Sequence, residues 1–214
     1  MLRQRIRGYD LSGEVEAAGP QATRFQPGDK IFGWCTGGFA EYVAIPEANL
    51  VPMPPGITFE QAAAVPMAGM VALQALREIG DVQSGRQVLV VGTSGGIGTF
   101  AVQIAKAMGA HATGVCSTAN TDLVRSIGAD EVIDYTKEDF TLSERRYDLI
   151  LDIADTHSFA DRRRLLTAHG VLVPNSGVVC PGSWWRGCCR RSCHRSCIPS
   201  CPSRNGKIWS PWPG

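Results

Sequence analysis

The stretch Val88–Lys106 constrains the fold more than any other part of the chain. It reads VLVV, then GTSGGIG, then TFAVQIAK. Four consecutive aliphatic residues are typical of a strand buried on both faces of a parallel sheet, and the apolar residues after the glycines recur with the spacing of one helical face. A glycine-rich turn between such a strand and a helix favours anions, because free backbone N–H groups and the helix dipole point at it. The pattern predicts a phosphate-binding turn.

The glycines of this turn do not match the strict G-x-G-x-x-G fingerprint, because Thr93 stands at the first glycine position. A tight βα turn without a ligand is therefore the alternative. If the turn holds a dinucleotide, the predicted contacts are Thr93, Ser94, Gly95, Gly96, Ile97 and Gly98.

Strand and helix signals alternate from Val88 to Val173. Beyond the glycine-rich turn and its helix, strands are predicted at Ala112–Cys116, Glu131–Tyr135, Asp148–Ile153 and Gly170–Val173, with a short helix around Leu123 and Ile127. Such alternation builds βαβ units with right-handed crossovers. The predicted fold class is therefore α/β, with a doubly wound parallel sheet.

The residues before Val88 have a different pattern. Three strand candidates separated by Gly and Pro turns indicate a small all-β module: Tyr9–Gly19, Phe25–Gly33 and Gly37–Ile45. Pro46–Pro55 is predicted to be an extended connection. A capping-box pattern at Thr58 and Gln61 predicts a helix start, and Pro66 should break that helix.

Charge and cysteine are distributed unevenly. Val178–Gly214 contains six of the 21 Lys and Arg residues and none of the 20 Asp and Glu residues. The preceding residues are therefore mildly acidic, which argues against nucleic acid as the main partner. We find no apolar run long enough to span a membrane and no signal peptide, so the expected location is cytoplasmic. Cys35 and Cys116 are isolated thiols that fit a reducing compartment.

The segment 178–214 is rich in Cys, Arg, Ser, Pro and Trp and has no apolar period. Cys189, Cys193, Cys197 and Cys201 recur every four residues with His194 between them, so a zinc-binding or nucleic-acid-binding appendix is one interpretation. Zinc motifs more often use C-x2-C pairs separated by a loop. The composition favours an unstructured tail, such as a shifted reading frame would produce.

Six stretches of the sequence occur together and in order between Gly8 and Gly177: GYDLSGEVEAAG, FQPGDKIFG, GGFAEYV, FEQAAAVPMAGMVALQAL, VLVVGTSGGIGTFAVQIAKAMGA and GADEVIDY. With these the chain resembles the medium-chain dehydrogenase/reductase superfamily, in its zinc-free, zeta-crystallin-like quinone oxidoreductase branch. Where zinc-dependent members carry Gly-His-Glu, this chain has Gly8, Tyr9 and Asp10. No metal site is expected.

The resemblance implies a Rossmann domain joined to a GroES-like β domain. On this basis we expect a partial GroES-like domain at residues 1–55, an incomplete Rossmann domain at 56–177 and the tail at 178–214. Family members bind NADPH and are often homodimers. The resemblance also implies that Asn175 and Ser176 face the nicotinamide and that Tyr135 contacts the 2′-phosphate.

The end of the second strand predicts the choice of cofactor. NAD sites usually place an acid there to bind the ribose 2′-OH, but this strand ends VCSTAN. Ser117 can donate to a 2′-phosphate, although it also fits a helix N-cap. Asn120 occupies a position that is basic in some relatives, and a packed strand-end aromatic is the alternative for Tyr135. NADPH is the expected cofactor.

The resemblance implies hydride transfer from NADPH to a small quinone or enone. Such chemistry needs proximity more than acid–base residues, because the cofactor carries the reaction, so no catalytic residue is assigned. Asp152 and His157 are interpreted as structural residues. The alternative is an inactive truncated fragment that retains at most weak dinucleotide binding.

Overall fold

The computed structural model describes residues 6–174, which all lie in one unit, Met1–Val178. The predictions made for the tail, for Asn175 and for Ser176 fall outside the described residues.

A parallel sheet of five strands forms the larger part of the fold, as predicted. Its order is β6-β5-β4-β7-β8. The strands are β4 (Gln87–Val91), β5 (His111–Cys116), β6 (Glu131–Asp134), β7 (Tyr147–Asp152) and β8 (Leu166–Pro174). The helices that alternate with them are α3 (Gly96–Ala107), α4 (Thr121–Ser126) and α5 (Phe159–Arg164). The Rossmann-like fold class is confirmed.

The central strand β4 is the most protected part of this sheet. Four of its five residues are buried, because β5 and β7 pair with it on either side and helices cover the faces. On one face a cluster of apolar side chains surrounds it: Leu89, Val91, Val115, Phe140, Tyr147, Ile150, Leu165 and Leu172. The continuous aliphatic run is therefore a strand buried on both faces, as the sequence predicted.

The register brings the carboxyl ends of four strands to one edge. Val91 pairs with both Val115 and Asp152, and Cys116 pairs with Asp134. The loops that follow β4, β5, β6 and β7 consequently lie side by side. We call this the carboxyl edge of the sheet.

A three-stranded antiparallel sheet precedes the parallel one, in the order β1-β2-β3. Its strands are β1 (Asp10–Glu14), β2 (Lys30–Trp34) and β3 (Leu50–Pro52). The third strand is thus not where the sequence placed it. It lies inside the stretch predicted as an extended connection, which also contains a short 3-10 helix, Glu47–Asn49.

The strand predicted at Gly37–Ile45 was wrong, and the reason is a local folding back of the chain. Gly37 has a φ of +94°, a left-handed conformation that ends an extended run. The N–H groups of Gly37 and Phe39 bond the carbonyls of Gly8 and Arg7 at 3.0 Å. These backbone groups are therefore taken up by the chain before β1 and cannot join a strand ladder.

Two helices connect the sheets: α1 (Phe59–Ala63) and α2 (Pro66–Leu73), the latter continued by a π-helical stretch, Gln74–Ile79. The capping box predicted at Thr58 and Gln61 is present, and Pro66 separates the helices as expected. The Ser12 hydroxyl donates to the Phe59 carbonyl at 2.5 Å, and the Met67 N–H donates to the Asp10 carboxylate at 2.8 Å. The small sheet is thereby tied to α1 and α2.

Candidate functional site

The turn between β4 and α3 lies at the centre of the carboxyl edge. Gly92 has a φ of +87°, which favours glycine. The N–H groups of Gly92 and Thr93 both bond the Val115 carbonyl at 3.1 Å, and the Gly95 N–H bonds the Gly92 carbonyl at 3.2 Å. The first half of the turn is thus held by its own chain and by β5.

Thr93 has a structural role in this turn. Its side chain is fully buried, and its hydroxyl donates to the Val90 carbonyl at 2.8 Å while lying 3.2 Å from that of Val115. Because its N–H is also bonded within the protein, this residue has no donor left for a ligand. Thr93 therefore stabilises the turn from the protein interior, and its contact with a dinucleotide stays a prediction.

The second half of the turn presents backbone N–H groups. The first helical hydrogen bond of α3 runs from the Thr99 N–H to the Gly95 carbonyl at 2.9 Å, so the N–H groups of Gly96, Ile97 and Gly98 precede the helical pattern. Gly95 and Gly96 are exposed. An anion that approached here would meet the positive end of a twelve-residue helix.

Glycine at position 98 is required for the packing of α3 against the turn. A Cβ added there would lie 2.4 Å from the Gly92 carbonyl oxygen and 2.6 Å from the Cα of Thr93. At Gly96 an added Cβ would lie 3.8 Å from that of Ala68, an ordinary contact. Gly98 therefore lets the helix sit against the turn, and Gly96 leaves the backbone accessible.

Ser117 and Asn120 lie together in the loop after β5. The Asn120 side-chain amide donates to the Ser117 hydroxyl at 3.1 Å. Ser117 occupies the N-cap position of a short 3-10 helix, Thr118–Asn120, but its side chain makes no capping hydrogen bond. Ser117 is therefore an N-cap residue by position, as the alternative expected, but its hydroxyl does not cap the helix, and both side chains stand at the carboxyl edge.

Tyr135 follows β6 at the same edge. Its N–H bonds the Cys116 carbonyl at 3.1 Å, and the residue is 58% exposed. The alternative of a packed strand-end aromatic is therefore wrong. The exposed ring lies in the loop next to the one that carries Ser117.

Asp134 is a residue of this edge whose role was not predicted from the sequence. It is buried, and its carboxylate accepts hydrogen bonds from the Thr118 hydroxyl at 2.5 Å, the Thr136 hydroxyl at 2.7 Å and the Thr136 N–H at 3.0 Å. The hydroxyls of Thr118 and Thr136 hold the pKa of Asp134 well below its usual range. An Asp followed two positions later by Thr is an Asx-turn pattern, which is the signal that could have identified it.

The loop after β7 is fixed by a buried ion pair. The Arg162 guanidinium lies 2.5 Å from the Asp152 carboxylate and 2.7 Å from that of Asp155, and Asp152 is fully buried. The Ile153 N–H bonds the Val91 carbonyl at 3.0 Å, so the loop lies against the β4–α3 turn. These contacts match the structural role expected of Asp152.

His157 lies in the same loop. Its ring contacts Phe140 edge to face with centroids 4.6 Å apart, and its Nδ1 is 2.9 Å from the Thr156 hydroxyl. The ring therefore packs between the loops after β6 and β7, in keeping with the structural interpretation.

Among residues 6–174 the structure contains no group of three or more His, Cys, Asp or Glu side chains placed to hold a metal ion. Burial raises the pKa of the Cys35 and Cys116 thiols. No helix within the described part of the chain is both long and apolar enough to cross a membrane.

An α/β protein with a glycine-rich turn at the carboxyl edge of a parallel sheet, joined to a small antiparallel sheet, belongs to the Rossmann-like class of nucleotide-binding folds. Two family models match the chain, one over the small antiparallel sheet and one over most of the parallel sheet. The alcohol dehydrogenase GroES-like domain matches residues 3–55, and the zinc-binding dehydrogenase family matches residues 96–177.

Individual relatives agree with these models. The chain is 40% identical over 156 residues to the mitochondrial NAD(P)H oxidoreductase RTN4IP1 of Mus musculus, covering 68% of this chain and 39% of that protein. It is 39% identical over 158 residues to the trans-enoyl reductase pgmF of Aspergillus terreus, covering 68% and 44%. The quinone oxidoreductase structure from Coxiella burnetii superposes with a TM-score of 0.73 at 32% identity, covering 78% and 55%.

The chain therefore belongs to the medium-chain dehydrogenase/reductase superfamily, in its quinone oxidoreductase-like branch. It spans about two fifths of the length of the two curated relatives, 39% and 44%.

Proposed function

We propose that the chain binds NADPH at the carboxyl edge of its parallel sheet. The observation that carries this proposal is the exposed backbone at Gly95 and Gly96, placed before the first hydrogen bond of α3. Bare backbone and a helix N-terminus together suit a pyrophosphate. Ser94 and Ile97 are half-buried beside these glycines and complete the proposed pyrophosphate contacts.

The adenosine end of NADPH would lie across the loops after β5 and β6. No Asp or Glu is present from Ser117 to Asn120, so nothing in that loop repels a 2′-phosphate. The Ser117 hydroxyl, the Asn120 amide and the exposed Tyr135 are the polar groups proposed to contact the phosphate. Asn175 and Ser176, which lie outside the described residues, are proposed to face the nicotinamide.

We further propose hydride transfer to a small quinone or enone. The names of the relatives support this substrate class, since they include a quinone oxidoreductase and a trans-enoyl reductase. Bound NADPH would supply the hydride itself. The contribution of the chain is to hold the cofactor and to exclude water from its nicotinamide end, and we assign no acid–base residue. We also propose that the chain divides into two domains between residues 55 and 56. We propose in addition that it forms a homodimer.

Dinucleotide binding without turnover is a second candidate function. It is favoured by the irregular stretch between β2 and β3, where Phe39 and Tyr42 are 78% and 70% exposed. Aromatic side chains that face solvent do not form an enclosed substrate pocket. In that case the cofactor would bind at the edge while the acceptor would find no pocket.

Titration of the full chain with NADPH, followed by the fluorescence of the cofactor, tests the binding site. The informative variant is Gly96→Asp, which places a carboxylate where the pyrophosphate is proposed to lie. Its side chain has room beside Ala68, and an acid in the first turn of a helix is favourable. We expect stability to be kept and affinity to fall roughly tenfold or more.

Equal affinity of the wild type and Gly96→Asp would contradict the proposed pyrophosphate site. Reduction of menadione or 9,10-phenanthrenequinone with NADPH then separates the two candidate functions. Turnover supports the oxidoreductase, whereas binding without turnover supports the second candidate.

A further inference from the structure

The loops after β5 and β6 are joined into one unit by Asp134. Its carboxylate bonds the hydroxyl of Thr118, which belongs to the first loop, and both the hydroxyl and the N–H of Thr136, which belongs to the second. The side chain is only 10% exposed. The polar groups proposed to surround the adenosine ribose therefore stand on a rigid base.

This carboxylate has no capacity left for a ligand. An ionised carboxylate offers about four acceptor positions. Three are used by Thr118 and Thr136, and the Lys137 ammonium lies 3.3 Å from Oδ2. Asp134 consequently cannot accept from a ribose 2′-OH, which is how an acid at this edge favours NADH.

Lys137 supplies a positive charge at the same place. Its ammonium approaches Asp134 Oδ2, the same atom that accepts from Thr118, and Thr118 directly follows Ser117 in the chain. The side chain of Lys137 is 69% exposed. An ammonium has three donors, so two remain free to point away from the buried carboxylate.

We propose that Lys137 binds the 2′-phosphate of NADPH and makes the site prefer NADPH to NADH. This inference rests on the proposed function and adds a specificity-determining residue to it. Asn120 in the loop after β5 is neutral and bonded to Ser117. The positive charge would instead come from Lys137 in the loop after β6. Asp134 would orient its ammonium, whose remaining donors face solvent. A charge-assisted contact to a phosphate is stronger than a neutral hydrogen bond.

The test compares the affinities of the full chain for NADPH and NADH before and after substitution of Lys137. We expect Lys137→Met to weaken NADPH binding roughly tenfold and to change NADH binding less than about twofold. Lys137→Arg should keep the preference. The matched control is Lys106→Met, since Lys106 is also in an ion pair, 2.6 Å from Asp130, but lies at the opposite end of α3.

A second readout is ionic strength. Wild-type affinity for NADPH should fall more steeply with added salt than that of Lys137→Met, because screening acts on the exposed charge. An unchanged NADPH-to-NADH ratio in Lys137→Met, with NADPH still bound, would overturn the inference and leave the proposed function intact. Failure of the wild type to bind either cofactor would overturn both.

Discussion

The parallel sheet and the small antiparallel sheet differ in how they are protected from solvent. Four of the five residues of β4 are buried, whereas β2 alternates buried and half-buried positions after an exposed first residue. Large side chains near the small sheet, including Tyr9 and Phe39, are 65% and 78% exposed. The parallel sheet thus has the larger and more deeply buried core, while the small sheet has a smaller one, made of Leu11, Ile31, Cys35 and Leu50. The difference predicts where substitutions will be costly.

The largest expected effect contrasts the core of the parallel sheet with an exposed ring near the small sheet. Leu89→Ala should lower the free energy of unfolding by about 2–5 kcal/mol, because Leu89 is fully buried in the parallel sheet. Phe39→Ala should change it by no more than about 0.5 kcal/mol, because its ring faces solvent. Denaturant unfolding followed by circular dichroism measures both. Similar losses for the two variants would contradict the exposed position of the Phe39 ring.

The next effect is a difference in stability between alanine substitutions at two glycines of α3. Gly98→Ala should cost about 1–3 kcal/mol, because the new Cβ would meet the backbone of Gly92 at 2.4 Å. Gly96→Ala has room, and the lower backbone entropy of alanine in the unfolded chain should make it neutral or stabilising by up to about 1 kcal/mol. The midpoint of thermal unfolding of each variant measures these changes in stability. A Gly98→Ala protein as stable as the wild type would contradict the close packing of α3 on the turn.

A smaller effect is expected where the small sheet meets α2. Asp10→Ala removes the acceptor of the Met67 N–H and should cost about 1 kcal/mol, the usual loss for a helix cap. Asp10→Asn keeps an acceptor and should lose less. Equal losses for the two variants in denaturant unfolding would mean that the cap contributes little to stability.

The smallest effect is a difference in pH dependence between two carboxylates. Burial raises the pKa of Asp10, so its contribution to stability is present below the ordinary pKa of Asp and is lost as the pH rises through the raised value. Asp134 has the opposite sign: its pKa is lowered, so its contribution is present above the ordinary value and is lost as the pH falls below it.

Two variants test these signs. Asp10→Asn should remove a loss of stability just above pH 4, the ordinary range for Asp. Thr118→Val removes one donor to Asp134 and should make the loss of stability below pH 4 shallower. Unfolding free energies measured from pH 3 to pH 7 give both slopes. A steeper acid loss in Thr118→Val would contradict the assigned role of that hydroxyl.

Much of the larger sheet could be predicted from local sequence. The run Val88–Val91 is aliphatic without interruption, and only a strand covered on both faces needs such a pattern. The third strand of the small sheet could not be assigned to the stretch near Gly37 or to the one near Leu50, because both stretches are short and lack a clear period. Which one joined β2 was decided by the backbone bonds that Gly37 and Phe39 make with residues before β1.

The candidate site was likewise predictable from the sequence only in part. The glycine spacing by itself determined that a turn with bare backbone follows β4 and opens a helix, because glycine is the residue that such a close approach requires. The tertiary structure alone decided that Thr93 is buried beneath that turn and that Asp134 joins the loops after β5 and β6. Those roles depend on hydrogen bonds between residues distant in sequence, which no local pattern specifies.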